Sequence, residues 1–405
     1  MRKIVIFSGA FPPEPIVSAK ISYGLAEELS KNNIVTVVCP NPSRPLGFKF
    51  VRKFENLPFE VKVLDSYTCP KSWLLGRIWE SISFGLKCKK FIKSNYIGID
   101  VIYMNAWPIF AQFLILSAAK KYHIKVIAHV QDIYPESYTN KLPAHIKQFF
   151  YRLLLPIDKF VLKNAFHILA ISEKMKDYLM KTRMVHSNKI SVISNWHDEN
   201  EYLNFHKLNK KITNSGYLTF MYLGNIGPVA GVEFLIESFA ESKLSNSKLV
   251  LAGAGSMKDY CKNLSLKYAD SIIEFTDVPD GKVPEIQNQA DVMLLPVKKG
   301  AAMSSIPSKL PAYMFSKKPI IACVDADSDT AESIQKSGGG WVIEPENKYQ
   351  LIALFKAIYE DKQESRVLKG VNGFNFAIDN FSKKINLQKI VSIIETSINI
   401  NSKLY

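Results

Sequence analysis

Glycine-containing loops follow apolar runs at three places in the chain, and loops of this kind can bind phosphate groups. They are Gly9 after the run Lys3–Phe7, Gly224-Asn225-Ile226-Gly227 after Leu218–Leu223, and Gly253-Ala254-Gly255 after Lys248–Ala252. Because glycine has no Cβ, the backbone N–H groups of such a loop can come close to a phosphate or a ribose. The two loops in the second half of the chain predict a nucleotide-binding site there, and Gly9 is a further candidate for contact with the same ligand.

A lysine lies at the start of a predicted helix in the same half of the chain. Pro307-Ser308-Lys309 precedes the apolar segment Ala312–Phe315, and serine is a favoured N-cap residue. The unbonded N–H groups of a helix start and a neighbouring ammonium group both attract anions. We therefore predict that Ser308 and Lys309 bind the phosphates of the nucleotide.

Polar side chains surround the end of another apolar run, Lys125–Val130, in the first half of the chain. They are His129, Gln131, Asp132 and Glu136. Side chains of these types can orient a hydroxyl group or remove its proton. We predict that His129 and Asp132 act on an acceptor molecule and that Gln131 and Glu136 help to bind it.

The sequence offers little support for metal-ion or covalent chemistry. The seven histidines include no HExxH pair, no cysteine lies near a histidine at ligand spacing, and neither G-x-S-x-G nor a Walker-type motif occurs. The acidic run Asp325-Ala326-Asp327 is the alternative metal site, but we expect no metal and no cofactor. The five cysteines are widely spaced and odd in number, which is typical of reduced thiols in a cytoplasmic protein.

Strand-like and helix-like segments alternate along the chain and position these loops. The predicted strands of the first half are Lys3–Phe7, Ile34–Cys39, Val61–Leu64, Ile99–Met104, Lys125–Val130 and His167–Ile171. Those of the second half are Leu218–Leu223, Lys248–Ala252, Ile272–Phe275, Asp291–Pro296, Pro319–Val324 and Gly340–Ile343. Apolar strands separated by helices predict an α/β fold with two Rossmann-like, doubly wound parallel sheets. Ligands bind at the carboxyl ends of the strands in such sheets, where the candidate residues are found.

A polar stretch interrupts this alternation and suggests the domain boundaries. We predict an N-terminal acceptor-binding domain over residues 1–199, a linker over 200–215 and a nucleotide-binding domain over 216–381. Residues 382–405 are helical in period, and we expect this helix to cross back to the first domain.

The charge of the chain predicts an anionic partner. The chain holds 52 Lys and Arg against 37 Asp and Glu, a net charge of +15, and residues 1–200 hold 28 against 15. Two stretches of this half, 71–93 and 146–163, mix basic with large apolar residues, as in helices that bind an anionic membrane surface. Core helices with solvated lysines are the alternative. No stretch reaches the roughly 18 apolar residues that span a bilayer, so we predict a cytoplasmic protein attached peripherally to the inner face of the plasma membrane.

Several motifs together resemble one known family. In the first half they are Phe11-Pro12-Pro13, Gln131-Asp132-Ile133-Tyr134-Pro135-Glu136-Ser137, Ile171-Ser172-Glu173 and Ile193-Ser194-Asn195-Trp196. In the second half they are Tyr222-Leu223-Gly224-Asn225-Ile226-Gly227, Gly253-Ala254-Gly255, Ala290-Asp291-Val292 and Pro307-Ser308-Lys309. The chain resembles the large retaining glycosyltransferase family with two Rossmann-like domains, family 4 of the GT-B fold, from its first strand to about residue 350. It is most similar to the branch that builds bacterial capsule and O-antigen units, including enzymes that transfer fucose-type sugars.

The resemblance implies a nucleotide-sugar donor in the second domain, an acceptor in the first, and transfer in the central cleft that the domains face. Transfer would retain the anomeric configuration and would need no metal. The family's usual glutamate pair falls on Ser304 and Ala312, and its usual Arg and Lys fall on Asn225 and Ala230. Lys309 is therefore the expected catalytic cation.

The remaining donor contacts that we expect from the resemblance are polar. We assign Asn225, Ser304 and Glu332 to donor binding, and Glu344 and Glu346 are further candidates for contact with the ribose or the base.

The predicted function is thus transfer of a sugar from a nucleotide-sugar to a polyprenyl-diphosphate-linked glycan in bacterial surface polysaccharide synthesis. Two alternatives remain. One is a nucleotide-sugar epimerase of the same fold, which would act without an acceptor. The other is a nucleic-acid-binding protein that uses the basic half, although no recognition helix or aromatic RNA-binding motif is present. We expect no nucleic-acid partner.

Overall fold

The structure, a computed structural model, describes residues 1–44, 50, 56–71, 73–105, 109–140, 142–208, 216–299 and 306–399. The chain divides into two compact units. Unit 1 contains Met1–Asn195 and the chain from Asn386 onward, and unit 2 contains Trp196–Ile385. Each unit has one parallel sheet covered by helices, which confirms the prediction of two doubly wound α/β domains.

Unit 1 is built on a seven-stranded sheet with the strand order β3-β2-β1-β4-β5-β6-β7. The strands are β1 (Lys3–Ser8), β2 (Ile34–Pro40), β3 (Glu60–Leu64), β4 (Val101–Asn105), β5 (Lys125–Val130), β6 (His167–Ala170) and β7 (Ile190–Val192). The helices that connect them are α1 (Val17–Leu29), α2 (Leu74–Asn95), α3 (Ile109–Lys121), α4 (Glu136–Thr139), α5 (Ala144–Asn164) and α6 (Glu173–Arg183). The strand order reverses between β1 and β4, so the loops that follow these two strands diverge.

Unit 2 is built on a six-stranded sheet with the order β10-β9-β8-β11-β12-β13. The strands are β8 (Leu218–Leu223), β9 (Ser247–Ala252), β10 (Ile273–Thr276), β11 (Val292–Pro296), β12 (Ile320–Cys323) and β13 (Gly340–Ile343). The helices are α7 (Asn200–Leu208), α8 (Val232–Ser242), α9 (Lys258–Ser265), α10 (Val283–Asn288), α11 (Lys309–Phe315), α12 (Asp329–Ser337), α13 (Lys348–Glu360) and α14 (Gln363–Phe381). Here the order reverses between β8 and β11. The last helix, α15 (Lys383–Asn399), has its first three residues in unit 2 and the rest in unit 1.

The continuous apolar strands are buried on both faces. In β8, Phe220 and Tyr222 join one core, whereas Met221 joins the core on the opposite face, and all three are fully buried. Successive side chains of a strand point to opposite faces, so an uninterrupted apolar run is what a doubly covered strand needs.

The segment expected to be a linker begins with helix α7, which belongs to unit 2. Tyr202 is fully buried, with its ring 5.9 Å from that of Phe315. The Nε2 atom of His206 lies 2.9 Å from the carbonyl oxygen of Phe315, at hydrogen-bond distance. Most residues of this segment are polar, so its sequence did not predict that Tyr202 and His206 contact unit 2. Residues 209–215, the remainder of the expected linker, lie outside the described residues.

Helix α15 begins in unit 2 and continues in unit 1. At its start, the backbone N–H of Lys383 donates to the buried carboxylate of Glu199 at 2.8 Å. Near its end, the ammonium of Lys125 donates to the carbonyl oxygen of Ser397 at 2.6 Å. One helix therefore makes hydrogen bonds within each unit.

All five cysteines are free and buried. Within the described ranges, no helix is long and apolar enough to cross a membrane.

Helix α15 should contribute to the stability of the fold through its buried face. We predict that Ile394→Ala lowers the free energy of unfolding by about 2–5 kcal/mol, because Ile394 is fully buried. Lys389→Ala, on the exposed face, should change it by less than about 0.5 kcal/mol. Urea unfolding followed by circular dichroism measures both, and equal effects would contradict the assignment of the buried face.

Candidate functional site

The two glycine loops of unit 2 pack directly against each other at the carboxyl ends of β8 and β9. The backbone N–H of Gly224 donates to the carbonyl oxygen of Ala252 at 2.9 Å. A Cβ on Gly253 would lie 2.1 Å from the oxygen of Gly224, and one on Gly255 would lie 2.2 Å from the oxygen of Ile226. Gly253, with φ of +130°, also has a backbone conformation that other residues rarely adopt. Contact between the loops therefore requires both glycines, whether or not a ligand is bound.

Lys309 passes over Gly224 and holds its ammonium group beside the first loop. A Cβ on Gly224 would lie 2.2 Å from Cε of Lys309, so the lysine stem occupies the space that the glycine leaves open. The Lys309 ammonium donates to the hydroxyl of Tyr222 at 2.5 Å and lies 4.5 Å from the centre of its ring. The Tyr222 hydroxyl donates in turn to the carbonyl oxygen of Asn225 at 2.6 Å. The position of the cation is thus fixed by neutral groups.

Burial of the ammonium lowers the pKa of Lys309 to about 8. In the parts of the chain that the structure describes, it forms an ion pair with no carboxylate. A partly buried cation without a counterion is destabilised, and an anion bound beside it would relieve that cost and raise the pKa. The arrangement is suited to binding a phosphate group.

Tyr313 attaches helix α11 to the end of β8, and the sequence analysis missed it. Its hydroxyl accepts from the backbone N–H of Leu223 at 2.9 Å and donates to the carbonyl oxygen of the same residue at 2.7 Å. A fully buried tyrosine needs such a partner. This pair of hydrogen bonds places the first residue of α11, Lys309, over the glycine loop.

The other predicted donor residues are less closely grouped. Ser308 precedes α11 but makes no side-chain cap, because its own backbone is already helical (φ −58°, ψ −16°). Glu332 lies on α12 and pairs with Lys336 at 2.5 Å. Gly9 lies in unit 1, where its N–H is 3.3 Å from the oxygen of Asn105.

The remaining donor candidates lie on separate segments of the second half of the chain. Gly227 leaves room for Asn225, whose Nδ2 would lie 3.0 Å from an added Cβ. Glu344 and Glu346 follow β13, and Glu346 lines a cavity of about 210 Å³ with Pro296. Ser304 lies outside the described residues.

His129 is the last residue but one of strand β5 in unit 1, and it is buried. Only 5% of the residue is exposed, and burial lowers its pKa to about 4. Its Nδ1 lies 2.5 Å from the hydroxyl of Tyr103, while its Nε2 has no hydrogen-bond partner among the described residues. Gln131 has a buried Nε2 that is likewise unpartnered in the described chain, and Asp132 is exposed. These groups could bind a polar ligand.

Glu136, predicted to help bind an acceptor, forms an ion cluster with the buried Arg183. The guanidinium of Arg183 is fully buried and donates to Glu136 at 2.5 Å and to Asp158 at 2.7 Å. It also donates to the carbonyl oxygen of Tyr134 at 2.5 Å, and Glu136 accepts from Tyr178 at 2.6 Å. Hydrogen bonds from Arg183 and Tyr178 lower the pKa of Glu136, although burial opposes this, whereas burial raises that of Asp158 to about 6. The cluster holds the turn that follows His129, and acceptor binding by Glu136 stays a prediction.

The acidic run after β12 forms a turn into helix α12. The hydroxyl of Ser328 donates to the carbonyl oxygen of Asp325 at 2.6 Å and accepts from the N–H of Ala331. Across the described ranges, no three His, Cys, Asp or Glu side chains come close enough together to hold a metal ion.

Two family models match consecutive parts of the chain. The model described as Glycosyltransferase Family 4 matches residues 19–201, and the one described as Glycosyl transferases group 1 matches residues 205–370. Both models describe glycosyltransferases, and together they match most of the chain. The chain is a glycosyltransferase.

A probable glycosyltransferase and several solved structures are also similar to the chain. A probable glycosyltransferase of Pseudomonas aeruginosa, WbjE, is 24% identical over 334 residues, 79% of each protein. The crystal structure of Anabaena HepE in complex with UDP superposes with a TM-score of 0.69 and 16% identity, covering 98% of this chain and 100% of that one. The crystal structure of WaaG, a glycosyltransferase involved in lipopolysaccharide biosynthesis, superposes with a TM-score of 0.63 and 15% identity. The superposition covers 96% of this chain and 99% of WaaG. The likeness to HepE and WaaG confirms the GT-B fold for this glycosyltransferase.

The ion cluster of this glycosyltransferase can be tested by removing its cation. Arg183→Met would leave two carboxylates close together in the interior, and we expect it to lower the free energy of unfolding by about 3–5 kcal/mol. Lys181→Met, an exposed change on the same helix, should have an effect below about 0.5 kcal/mol. Urea unfolding gives both values, and a stable Arg183→Met variant would mean that the cluster contributes little.

Proposed function

We propose that the enzyme transfers a sugar from a nucleoside-diphosphate sugar, bound by unit 2, to a polyprenyl-diphosphate-linked glycan, bound by unit 1. Transfer retains the anomeric configuration and uses no metal ion. The observation that carries the proposal is Lys309, a partly buried cation placed over the glycine loop without a carboxylate partner in the described chain.

The comparisons support a nucleotide-sugar donor and a role in polysaccharide synthesis. HepE has been crystallised with UDP and with UDP-glucose. WaaG is involved in lipopolysaccharide biosynthesis, and WbjE is a probable glycosyltransferase of a bacterium. These relatives favour transfer over the epimerase and nucleic-acid-binding alternatives. The capsule and O-antigen branch and a fucose-type donor sugar remain predictions from the sequence resemblance.

Lys309 would act on the leaving group. As the bond between the sugar and the diphosphate breaks, negative charge develops on the phosphate oxygen, and a fixed ammonium group stabilises it most at that moment. In the family resemblance the usual cations fall on Asn225 and Ala230, so Lys309 would supply this charge. In a retaining transfer the departing phosphate oxygen can take the proton of the acceptor hydroxyl as the new glycosidic bond forms on the same face of the sugar.

The acceptor would be bound by polar groups after β5. His129 and Gln131 each present a buried nitrogen without a partner in the described part of unit 1, and a sugar hydroxyl could satisfy either. Asp132, which is exposed, could accept a hydrogen bond from the attacking hydroxyl. Ser304, Ser308 and Glu332 remain proposed donor contacts.

Two helices of unit 1 have features that would suit an anionic membrane surface. On α2 the exposed residues include Trp79 and Leu86 together with Lys87, Lys89 and Lys90. On α5 Phe149 is 65% exposed and Leu153 is 56% exposed. Exposed aromatic and aliphatic groups beside lysines are typical of peripheral membrane helices. The buried face of α2, which includes Phe84 and Cys88, agrees in part with the core-helix alternative.

Diphosphate binding should depend on the charge of Lys309. We predict that Lys309→Met weakens binding of the preferred nucleoside diphosphate about 10- to 100-fold, since a hydrogen bond to a charged group is worth about 1.5–3 kcal/mol. The measurement is thermal stability with UDP, GDP, dTDP, CMP or ADP in EDTA, where a ligand at 100 times its Kd stabilises by about 2.7 kcal/mol. Lys282→Met, an exposed lysine of unit 2, is the matched control.

The same titration should depend on pH. The ammonium of the free enzyme loses its proton near pH 8, so affinity for the diphosphate should fall between pH 7 and about 9.5 in the wild type but less in Lys309→Met. Equal affinity of the two proteins at pH 7 would remove Lys309 from the site, and binding that EDTA abolishes would support the metal alternative.

Membrane attachment can be tested by reversing charges on α2. Replacing Lys87, Lys89 and Lys90 by Glu should release the enzyme from vesicles containing phosphatidylglycerol, because each cation near the surface contributes about 1 kcal/mol. Replacing Lys262, Lys267 and Lys282 by Glu is the control, because these lysines are exposed in unit 2. This change should leave sedimentation with vesicles unchanged. Equal binding of both triple variants would mean that α2 does not contact the membrane.

A further inference from the structure

Tyr103 and His129 form a buried polar pair inside unit 1. Met104 of β4 pairs with Ala128 of β5, and their side chains point to one face of the sheet. Tyr103 precedes Met104 and His129 follows Ala128, so both point to the opposite face. Their hydroxyl oxygen and Nδ1 are 2.5 Å apart. Tyr103 is 0% exposed and His129 is 5% exposed, so water cannot easily substitute for either partner.

The direction of this hydrogen bond follows from the groups available. The Tyr103 hydroxyl has one hydrogen to donate, and the only acceptor that it meets in the described part of the chain is Nδ1 of His129. If Nδ1 carried the proton instead, the tyrosine hydrogen would be buried without an acceptor, and Nε2 would be a buried acceptor without a donor. Each buried polar group left unsatisfied costs about 1–3 kcal/mol. Tyr103 is therefore the donor and Nδ1 the acceptor.

The protonation states are consistent with this direction. Burial raises the pKa of Tyr103 well above its ordinary value, so the phenol keeps its hydrogen. Burial lowers the pKa of His129 to about 4, so at neutral pH the ring carries one proton. With Nδ1 occupied as an acceptor, that proton is on Nε2.

We propose that Tyr103 is a positioning residue that holds His129 as the Nε2–H tautomer, so that His129 donates a hydrogen bond to a substrate hydroxyl oxygen and does not act as a base. This inference rests on the proposed function for the identity of the substrate, a sugar. The buried Nε2, which has no partner in the described chain, is the group that would meet the substrate. Removal of the acceptor proton is then left to Asp132 or to the departing phosphate oxygen.

The tautomer can be measured directly in the full-length enzyme without substrate. In nitrogen-15 spectra, His129 should show an unprotonated Nδ1 and a protonated Nε2 throughout pH 5.5–8, and its signals are identified by their loss in His129→Gln. Tyr103→Phe should shift the Nδ1 signal, while Tyr122→Phe, a tyrosine of the same unit that stacks on Tyr96, should not. A protonated Nδ1, or titration of His129 within this range, would overturn the proposal whatever the enzyme's substrate is.

The role in transfer can be measured by release of UDP from UDP-glucose. Glutamine can place an amide N–H where Nε2–H lies, whereas asparagine reaches only the position of Nδ1. We expect His129→Gln to stay within about 10-fold of the wild type and His129→Asn to lose about 100-fold or more, the effect of removing one aligned donor. The Tyr103→Phe variant should release UDP more slowly than the wild type but no more slowly than the His129→Asn variant.

The outcomes separate this inference from the proposed function. If His129→Gln is as slow as His129→Asn, donation from Nε2–H is wrong even though the enzyme is a transferase. If the wild type releases no UDP, the proposed function with this donor fails, and the spectrum alone decides the tautomer.

Discussion

Parallel strands are joined by crossover helices, and the loops after two neighbouring strands diverge where the direction of the crossovers changes. Each unit of this glycosyltransferase has one such point, between β1 and β4 in unit 1 and between β8 and β11 in unit 2. In unit 2 the chain leaving β8 forms the Gly224 loop, and the chain leaving β11 leads to Lys309. The topology of the sheet therefore brings together two residues that are 85 positions apart in the sequence.

Two cations of the enzyme, the buried Arg183 and the partly buried Lys309, have opposite surroundings. Arg183 is neutralised by Glu136 and Asp158 and also bonds a carbonyl oxygen, so its charge is fully compensated inside the protein. Lys309 has a phenol hydroxyl and an aromatic ring as its partners, and its charge is left for another molecule. A compensated ion cluster stabilises one conformation of a turn, whereas an uncompensated cation is typical of a binding site.

Much of the fold could be predicted from the sequence, because doubly buried strands require uninterrupted apolar runs and the loops between them require glycine. The Gly224 and Gly253 loops and Lys309 were identified in the same way. The side chains that contact these loops and Lys309 could not be predicted. Tyr222 and Tyr313 lie in apolar segments where only the fold shows what their hydroxyls bond. Glu136 has the composition of a ligand-binding residue, yet it meets Arg183, 47 residues away, and no local pattern reveals that pair. Helix α7 was missed because its polar majority outweighed the single buried Tyr202.

The passage of the Lys309 stem over Gly224 has a consequence for how this enzyme can evolve. A side chain at position 224 would occupy the space of the Lys309 stem, so the lysine would have to move away from the loop to make room for it. A shorter residue at position 309 would in turn open a gap above the glycine and remove the cation. The two positions are thus epistatic: the effect of a mutation at either one depends on the residue at the other. A protein of this fold that carried its cation at another position would be free of this coupling.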